Sequence, residues 1–220
     1  MPQDDVIYCD TPRAAELFDG ADADVKADFW LLCRYYISEN FLTYCGIASS
    51  VMVLNSLGVD SPADPQIHPY KMFTQENVFT EAVLEHRRPL DVEKGGNTLE
   101  QLATLLRALG VQVEIHFAKD LDLEACRGLI IDALRAPDQR VIVDFDRQVL
   151  HQKGHGHFSP LGAWNGTEDR FLLMDVARYK LPPCWVKASV LHEAMGGTDS
   201  TSKKSRGFLV VTHRGDGATG

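Results

Sequence analysis

Apolar positions recur at helical spacing through the first half of the chain and at strand spacing through the second. Ile47, Val51, Leu54 and Leu57 fall about one turn apart with Gly58 behind them, which predicts a buried helix opening at Cys45. Upstream, Thr11 and Pro12 meet the N-cap and first-turn preferences of a short helix ending near Gly20. Residues 25–36 carry Phe29, Trp30, Leu31, Leu32, Tyr35 and Tyr36, which predicts a second, heavily buried helix. A connection holding Pro62, Pro65 and Pro69 leads to a helical stretch over 72–86. Thr98 and Gln101 then form a capping-box pattern for a Leu-rich helix to Leu109, stopped by Gly110.

From Val111 the texture changes. Segments 111–117, 140–146, 157–165, 171–177 and 207–212 read as strands, with a helix over 122–135 between the first two. Asn165-Gly166-Thr167-Glu168-Asp169-Arg170 reads as a hairpin connection. Residues 196–206, rich in Gly, Thr, Ser and Lys, are expected to form a mobile loop, and 214–220 a frayed tail. Helices first and a mainly antiparallel sheet afterwards is an α+β pattern.

At 220 residues the chain is long enough to bury a sizeable core in one domain. A formal charge of −9 argues against a nucleic-acid binder, which would show a basic face. No signal pattern or membrane-length apolar run is visible, so the expectation is a cytoplasmic protein without a membrane partner. The five cysteines are odd in number and irregularly spaced, which supports neither a disulfide framework nor a zinc ribbon. Cys126 sits in a helical pattern and reads as a small core residue.

Cys45 is different, because a thiol at a helix N-terminus faces unpaired N–H groups and the positive end of the dipole, which favours thiolate. Far downstream, His157 heads one apolar run and Asp175 lies within another. Early cysteine, late histidine and a following acid is one order in which nucleophile, base and orienter occur. The strands carrying His157 and Asp175 would pair in the expected hairpin. Spacing alone leaves a second reading open: Cys45 as core, His157 as a turn residue and Asp175 as a cap. His151, His155 and His157 could suggest a metal cluster, but no third and fourth ligand types stand at useful spacing. His151 and His155 therefore read as exposed loop residues, and Lys203, Lys204 and Arg206 as a solvated face.

Several ordered motifs resemble the phytochelatin synthase family. Tyr44-Cys45-Gly46-Ile47-Ala48-Ser49 with Val53-Leu54-Asn55-Ser56-Leu57 is similar to its nucleophile helix. Gly154-His155-Gly156-His157-Phe158-Ser159-Pro160 and Leu173-Met174-Asp175-Val176-Ala177-Arg178-Tyr179-Lys180 are similar to its later motifs. Pro182-Pro183-Cys184-Trp185-Val186 and Glu193-Ala194-Met195 also fit. The resemblance runs over 25–213, leaving 1–24 as an arm with a short helix and 214–220 as a tail. It implies a papain-like fold and a Cys45/His157/Asp175 triad acting on glutathione, γ-Glu-Cys-Gly, through a γ-Glu-Cys thioester. It also implies that hydrolysis dominates over phytochelatin synthesis, as in short bacterial members, since no Cys-rich region follows. No protein-bound cofactor is implied; a heavy metal such as Cd or Zn arrives as the metal-thiolate of the substrate. Family members are often dimeric, so a homodimer is among the expectations.

Arg178, and more weakly Arg147, are candidates to hold a substrate carboxylate, since a guanidinium fork suits that task. Tyr44 and Gly156, flanking the two catalytic residues, join them as candidate substrate contacts. One departure stands out. Where the family places an oxyanion-donating glutamine, six residues before the nucleophile, this chain has Glu39. An ionised carboxylate has no proton to give and repels a developing oxyanion. Three readings follow: Glu39 stays protonated by burial, Asn40 turns in to donate, or turnover is weak. The Cys45 backbone N–H remains the other oxyanion donor in each. Two further function classes stay in view: a papain-like amidase on another γ-glutamyl or peptide substrate, and a thiol- or metal-binding protein with little turnover.

Overall fold

The computed structural model describes residues 5–215. Among the described residues seven strands form one sheet in the order β1-β6-β5-β4-β3-β7-β2, every neighbouring pair antiparallel. These are β1 (Val6–Tyr8), β2 (Gln112–Phe117), β3 (Gln139–Asp146), β4 (Gly156–Asn165), β5 (Arg170–Leu173), β6 (Cys184–Lys187) and β7 (Gly207–Thr212). The helices among the described residues are α1 (Pro12–Asp19), α2 (Ala27–Cys33), α3 (Cys45–Ser56), α4 (Glu81–Leu84), α5 (Pro89–Gly95), α6 (Leu99–Ala108), α7 (Leu123–Arg135) and α8 (Ala188–Gly196).

Strand alternation explains how one sheet serves two cores. On β3, Ile142 joins the cluster built on α3 and α6, while Val141, Val143 and Phe145 join the cluster of α7 and α8. On β7, Leu209 and Val211 face the first cluster, and Phe208 and Val210 the second. The sheet is therefore covered on both faces, an α+β architecture in which the helices are not confined to the N-terminal half. Residues 5–24, read as an arm, add β1 to the sheet edge against β6 and pack α1 under Trp185, whose indole N–H donates to the Ala14 carbonyl (3.2 Å).

Helix α3 is buried all round, with eleven of its twelve residues inside, so its apolar stripe is wider than the spacing alone implies. Asn55 near its end bonds both backbone groups of Phe73 (2.8 and 2.9 Å) and ties down the proline-bearing connection. The capping box at Thr98 and Gln101 forms, and Gly110 takes the positive φ (+87°) that lets the chain turn from α6 into β2.

Four expectations change. Helix α2 is short and only half inside: Trp30 and Leu31 are exposed, while Asp28 and Leu32 are buried. The 72–86 stretch shrinks to the four residues of α4, because Asn77 and Thr74 close a side-chain turn before it. Strand β5 stops at Leu173, so Asp175 lies on the loop beyond it. Residues 196–206, expected as a mobile loop, close on themselves through a Thr198–Ser205 bridge and bonds from the Thr201 and Ser202 amides to Asp199. Most of the expected tail, 216–220, lies outside the described residues.

Candidate active site

Cys45 is the first residue of α3, so its N–H has no partner inside the helix and points out of the N-terminal end. Tyr44 before it sets the entry, with its amide on the Phe41 carbonyl (3.0 Å) and its buried ring against Phe41 and Phe79. His157 is the second residue of β4, opposite Phe145 on β3. Continuing the β4–β5 ladder two residues past the Leu161–Leu173 pair would set Asp175 across from Ser159 instead of His157. Because the chain leaves the sheet after Leu173, the carboxylate reaches His157 from the loop, 2.9 Å from Nε2.

That bond leaves Nδ1 of His157 for Cys45. Donor atoms of Glu39, Cys45 and His157 all lie within 4.8 Å of one another, and all three side chains are buried. Asp175 is held from several sides. Its Oδ1 accepts from Arg147 (2.8 Å) and the Ala177 amide (2.8 Å), and a second Arg147 nitrogen pairs with Oδ2 at 2.8 Å. Burial pushes the Asp175 carboxyl up, but the His157 and Arg147 contacts outweigh it and hold it well below the ordinary carboxylate range. His157 shifts the other way: burial of its charged form pulls it down, and the Asp175 bond only partly restores it.

The thiol departs from the helix-end expectation. Burial pushes Cys45 up to about 12, reinforced by Glu39 and Asp144, against the lowering pull of the Phe158 and Gly46 backbone. A helix end stabilises a thiolate by a fraction of the penalty that full desolvation imposes. Burial thus favours the neutral form of both the Cys45 thiol and the His157 imidazole.

Cys45 opens onto a cavity of about 190 Å³ lined also by Asn97, His155, Gly156, Asp199 and Arg206. Arg206, read from sequence as part of a solvated face, is in fact buried and donates to Asp144 (2.9 Å). Its guanidinium lies against the Gly156 backbone, inside the space any Cβ there would need. Both polar atoms of the Asn97 amide are buried without a protein partner. Asp199, Arg206 and Asn97 were missed because local pattern marks them only as loop residues. The one usable signal was Arg206 at the head of an apolar strand, the position His157 also occupies.

The remaining candidates go elsewhere. Arg147 is buried on Asp175 and Gln152, so its fork already holds a protein carboxylate. Arg178 stacks over Tyr36 and donates to its carbonyl (3.2 Å), lining a separate cavity with Lys180 and Asp10. Glu39 is fixed by its amide on the Val176 carbonyl (2.9 Å) and by the Tyr179 hydroxyl, which donates to Oε1, while Oε2 is buried without a partner. Asn40 does not turn toward Cys45: its amide nitrogen donates to Glu76 and its oxygen accepts from Gln75. His151 and His155 are exposed, and all five cysteines are free thiols, with Cys126 buried. No helix among the described residues is long and apolar enough to cross a membrane.

The chain is similar to known proteins. It is 33% identical to glutathione gamma-glutamylcysteinyltransferase 1 of Lotus japonicus over 99% of its length and 43% of that protein. It is 33% identical to the Arabidopsis thaliana protein of the same name, over 86% of this chain and 38% of the relative. The Schizosaccharomyces pombe glutathione gamma-glutamylcysteinyltransferase is 30% identical over 91% of this chain and 49% of its own length. The chain thus spans under half the length of these relatives. A family model described as phytochelatin synthase matches residues 1–208, from the edge strand through the cavity loop to the start of β7, and the chain belongs to the phytochelatin synthase family.

Proposed function

We propose that this chain is a glutathione-processing cysteine acyltransferase that works mainly as a hydrolase. The observation that carries this reading is the His157 ring, fixed through Nε2 on Asp175 with its other nitrogen left for the Cys45 thiol. Cys45 and His157 start neutral, so thiol deprotonation accompanies attack. Nδ1 takes the thiol proton as Sγ adds to the carbonyl of the Cys–Gly bond. The imidazolium returns that proton to the leaving glycine nitrogen, and a γ-Glu-Cys thioester remains on Cys45. Water attacks it to release γ-Glu-Cys, or the α-amine of a second glutathione takes the acyl group. Asp175 keeps the imidazole tautomer and stabilises the imidazolium.

The cavity suits a γ-glutamyl head group, which carries one ammonium and one carboxylate. Asp199 offers an anion, held below the ordinary carboxylate range by the Ser202 and Thr201 contacts and Arg206 despite partial burial, and Arg206, which gives only one nitrogen to Asp144 and leaves Nε unpartnered, offers the cation. The unpartnered Asn97 amide adds a donor and an acceptor for the peptide backbone. The Cys45 N–H at the helix end is one oxyanion donor. Glu39, an acceptor from Tyr179, is a poor second one, which favours slow acylation. Metal is substrate chemistry in this reading, carried on the glutathione thiol.

Mass spectrometry of the protein incubated with glutathione tests the proposal. A γ-Glu-Cys adduct and free glycine are expected from the parent, and neither from Cys45→Ala. Glycine release that survives in Cys45→Ala would overturn it. Glu39→Gln should raise the acylation rate, read as the burst of glycine, by restoring an amide donor; an unchanged rate would remove Glu39 from the oxyanion site.

A further inference from the structure

The corner formed by Glu39, Cys45 and His157 adds a carboxylate, which acyl transfer does not use, to the thiol and imidazole that it does. We propose that these three side chains form a site for a borderline-soft divalent cation such as Zn²⁺, which holds the nucleophile in a blocked state. A thiolate sulfur, an imidazole nitrogen and a carboxylate oxygen are a three-ligand set of the kind that leaves one position open. The donor atoms lie within 4.8 Å of one another. Tetrahedral bonds of about 2.0–2.3 Å put donors roughly 3.5 Å apart, so shifts of about 1 Å close the set.

Two ligands are already oriented from behind. His157 is fixed through Nε2 on Asp175, the arrangement of a carboxylate–histidine–metal triad, which leaves Nδ1 for the ion. Glu39 accepts from Tyr179 on Oε1, while Oε2 is buried and unpartnered, an acceptor in want of a donor or a cation. Charge balances as well: a dication against one thiolate and one carboxylate leaves a neutral cluster in a site where either anion alone is poorly solvated. Binding releases one proton, from the Cys45 thiol to solvent. The fourth position opens on the 190 Å³ cavity, where a water fits.

A glutamine at position 39 would offer a neutral amide, a much weaker ligand, so the site is a property of this chain's carboxylate. A bound ion ties up both the Cys45 lone pair and Nδ1, which blocks acylation until a stronger thiol chelator removes it. That consequence rests on the reaction proposed above; the ion site itself does not.

The test is titration of the metal-free full chain with Co²⁺, following thiolate-to-cobalt charge-transfer absorption and stoichiometry. It is run in a Cys9→Ser/Cys33→Ser background, since those two thiols are exposed. The expected result is one ion per chain, displaced by Zn²⁺. The band should vanish in Cys45→Ser, and affinity should fall at least about tenfold in Glu39→Gln and in His157→Gln. Testing each ligand separately leaves two variants to decide if one misfolds, as read by circular dichroism. No charge-transfer band in the background protein, a band that persists in Cys45→Ser, or unchanged affinity in a folded Glu39→Gln would overturn the proposal. Glycine release from glutathione, measured in chelator, reports on the acyl-transfer reading separately.

Discussion

Asp175 and Asp28 are both buried carboxylates beside a buried arginine, yet their protons behave oppositely. Asp175 gathers Arg147, His157 and the Ala177 amide on one oxygen, with a second Arg147 nitrogen beside the other, and stays well below the ordinary range. Asp28 has Arg140 at 3.0 Å on Oδ1 and an unpartnered Oδ2, and burial pushes it up to about 7 despite the guanidinium. Arg140 meanwhile spreads its donors over Ser56 and the carbonyls of Pro137 and Gln139. Burial is common to both, so the count of donors on the carboxylate decides whether charge is tolerated. Asp175, the proposed orienter of His157, has the fuller set.

The largest effect that tests this contrast is expected from Asp175→Asn. It disturbs the imidazole tautomer and strands Arg147, so turnover should fall about 10⁴-fold and stability by about 3–5 kcal/mol in urea unfolding. The carboxylate's contribution is present above its unfolded value of about 3.9. It is lost as pH falls, so the gap between parent and variant should narrow from pH 5 toward pH 2. Next in size, Arg147→Met leaves Asp175 with His157 and one amide; a loss of about 3 kcal/mol and an upward move of the acid-unfolding midpoint are expected. A midpoint that stays in place would show that Arg147 does not hold the Asp175 charge.

The smallest effect belongs to Asp28→Asn, at about 1 kcal/mol near pH 5. Its slope is reversed. A folded carboxyl raised to about 7 contributes stability below the unfolded value, and loses it as pH rises through 7. The gap between parent and Asp28→Asn should therefore close between about pH 4 and pH 7. A cost as large as that of Asp175→Asn, or a gap that widens with pH, would end the argument from donor number.

Much of the fold was legible in local pattern because α3, α6, α7 and the long strands carry their own period, caps and stops. The short elements were not. Strands β1 and β6 hold three and four residues, too few to show alternation, and exist because each pairs with a neighbour far away in sequence. Helix α8 follows β6 with no capping signal and is defined by packing against β3 and β7. Trp30 shows the opposite error, since an aromatic run looks buried whether or not a partner surface covers it.

The sequence by itself determined the α+β class, the helix that carries Cys45 and the order of Cys45, His157 and Asp175 along the chain. Each depends on residues within a turn or two of one another, or on a motif that carries its own chemistry. Only the tertiary structure decided what each charge does. It put Arg147 on Asp175, sent Arg178 to another cavity, buried Arg206 beside Gly156 and left one oxygen of Glu39 unpaired next to Cys45. A guanidinium or carboxylate has the same local signature whether it meets solvent, substrate or a buried partner. Its role follows from the dielectric and the donors that distant segments bring within about 3 Å.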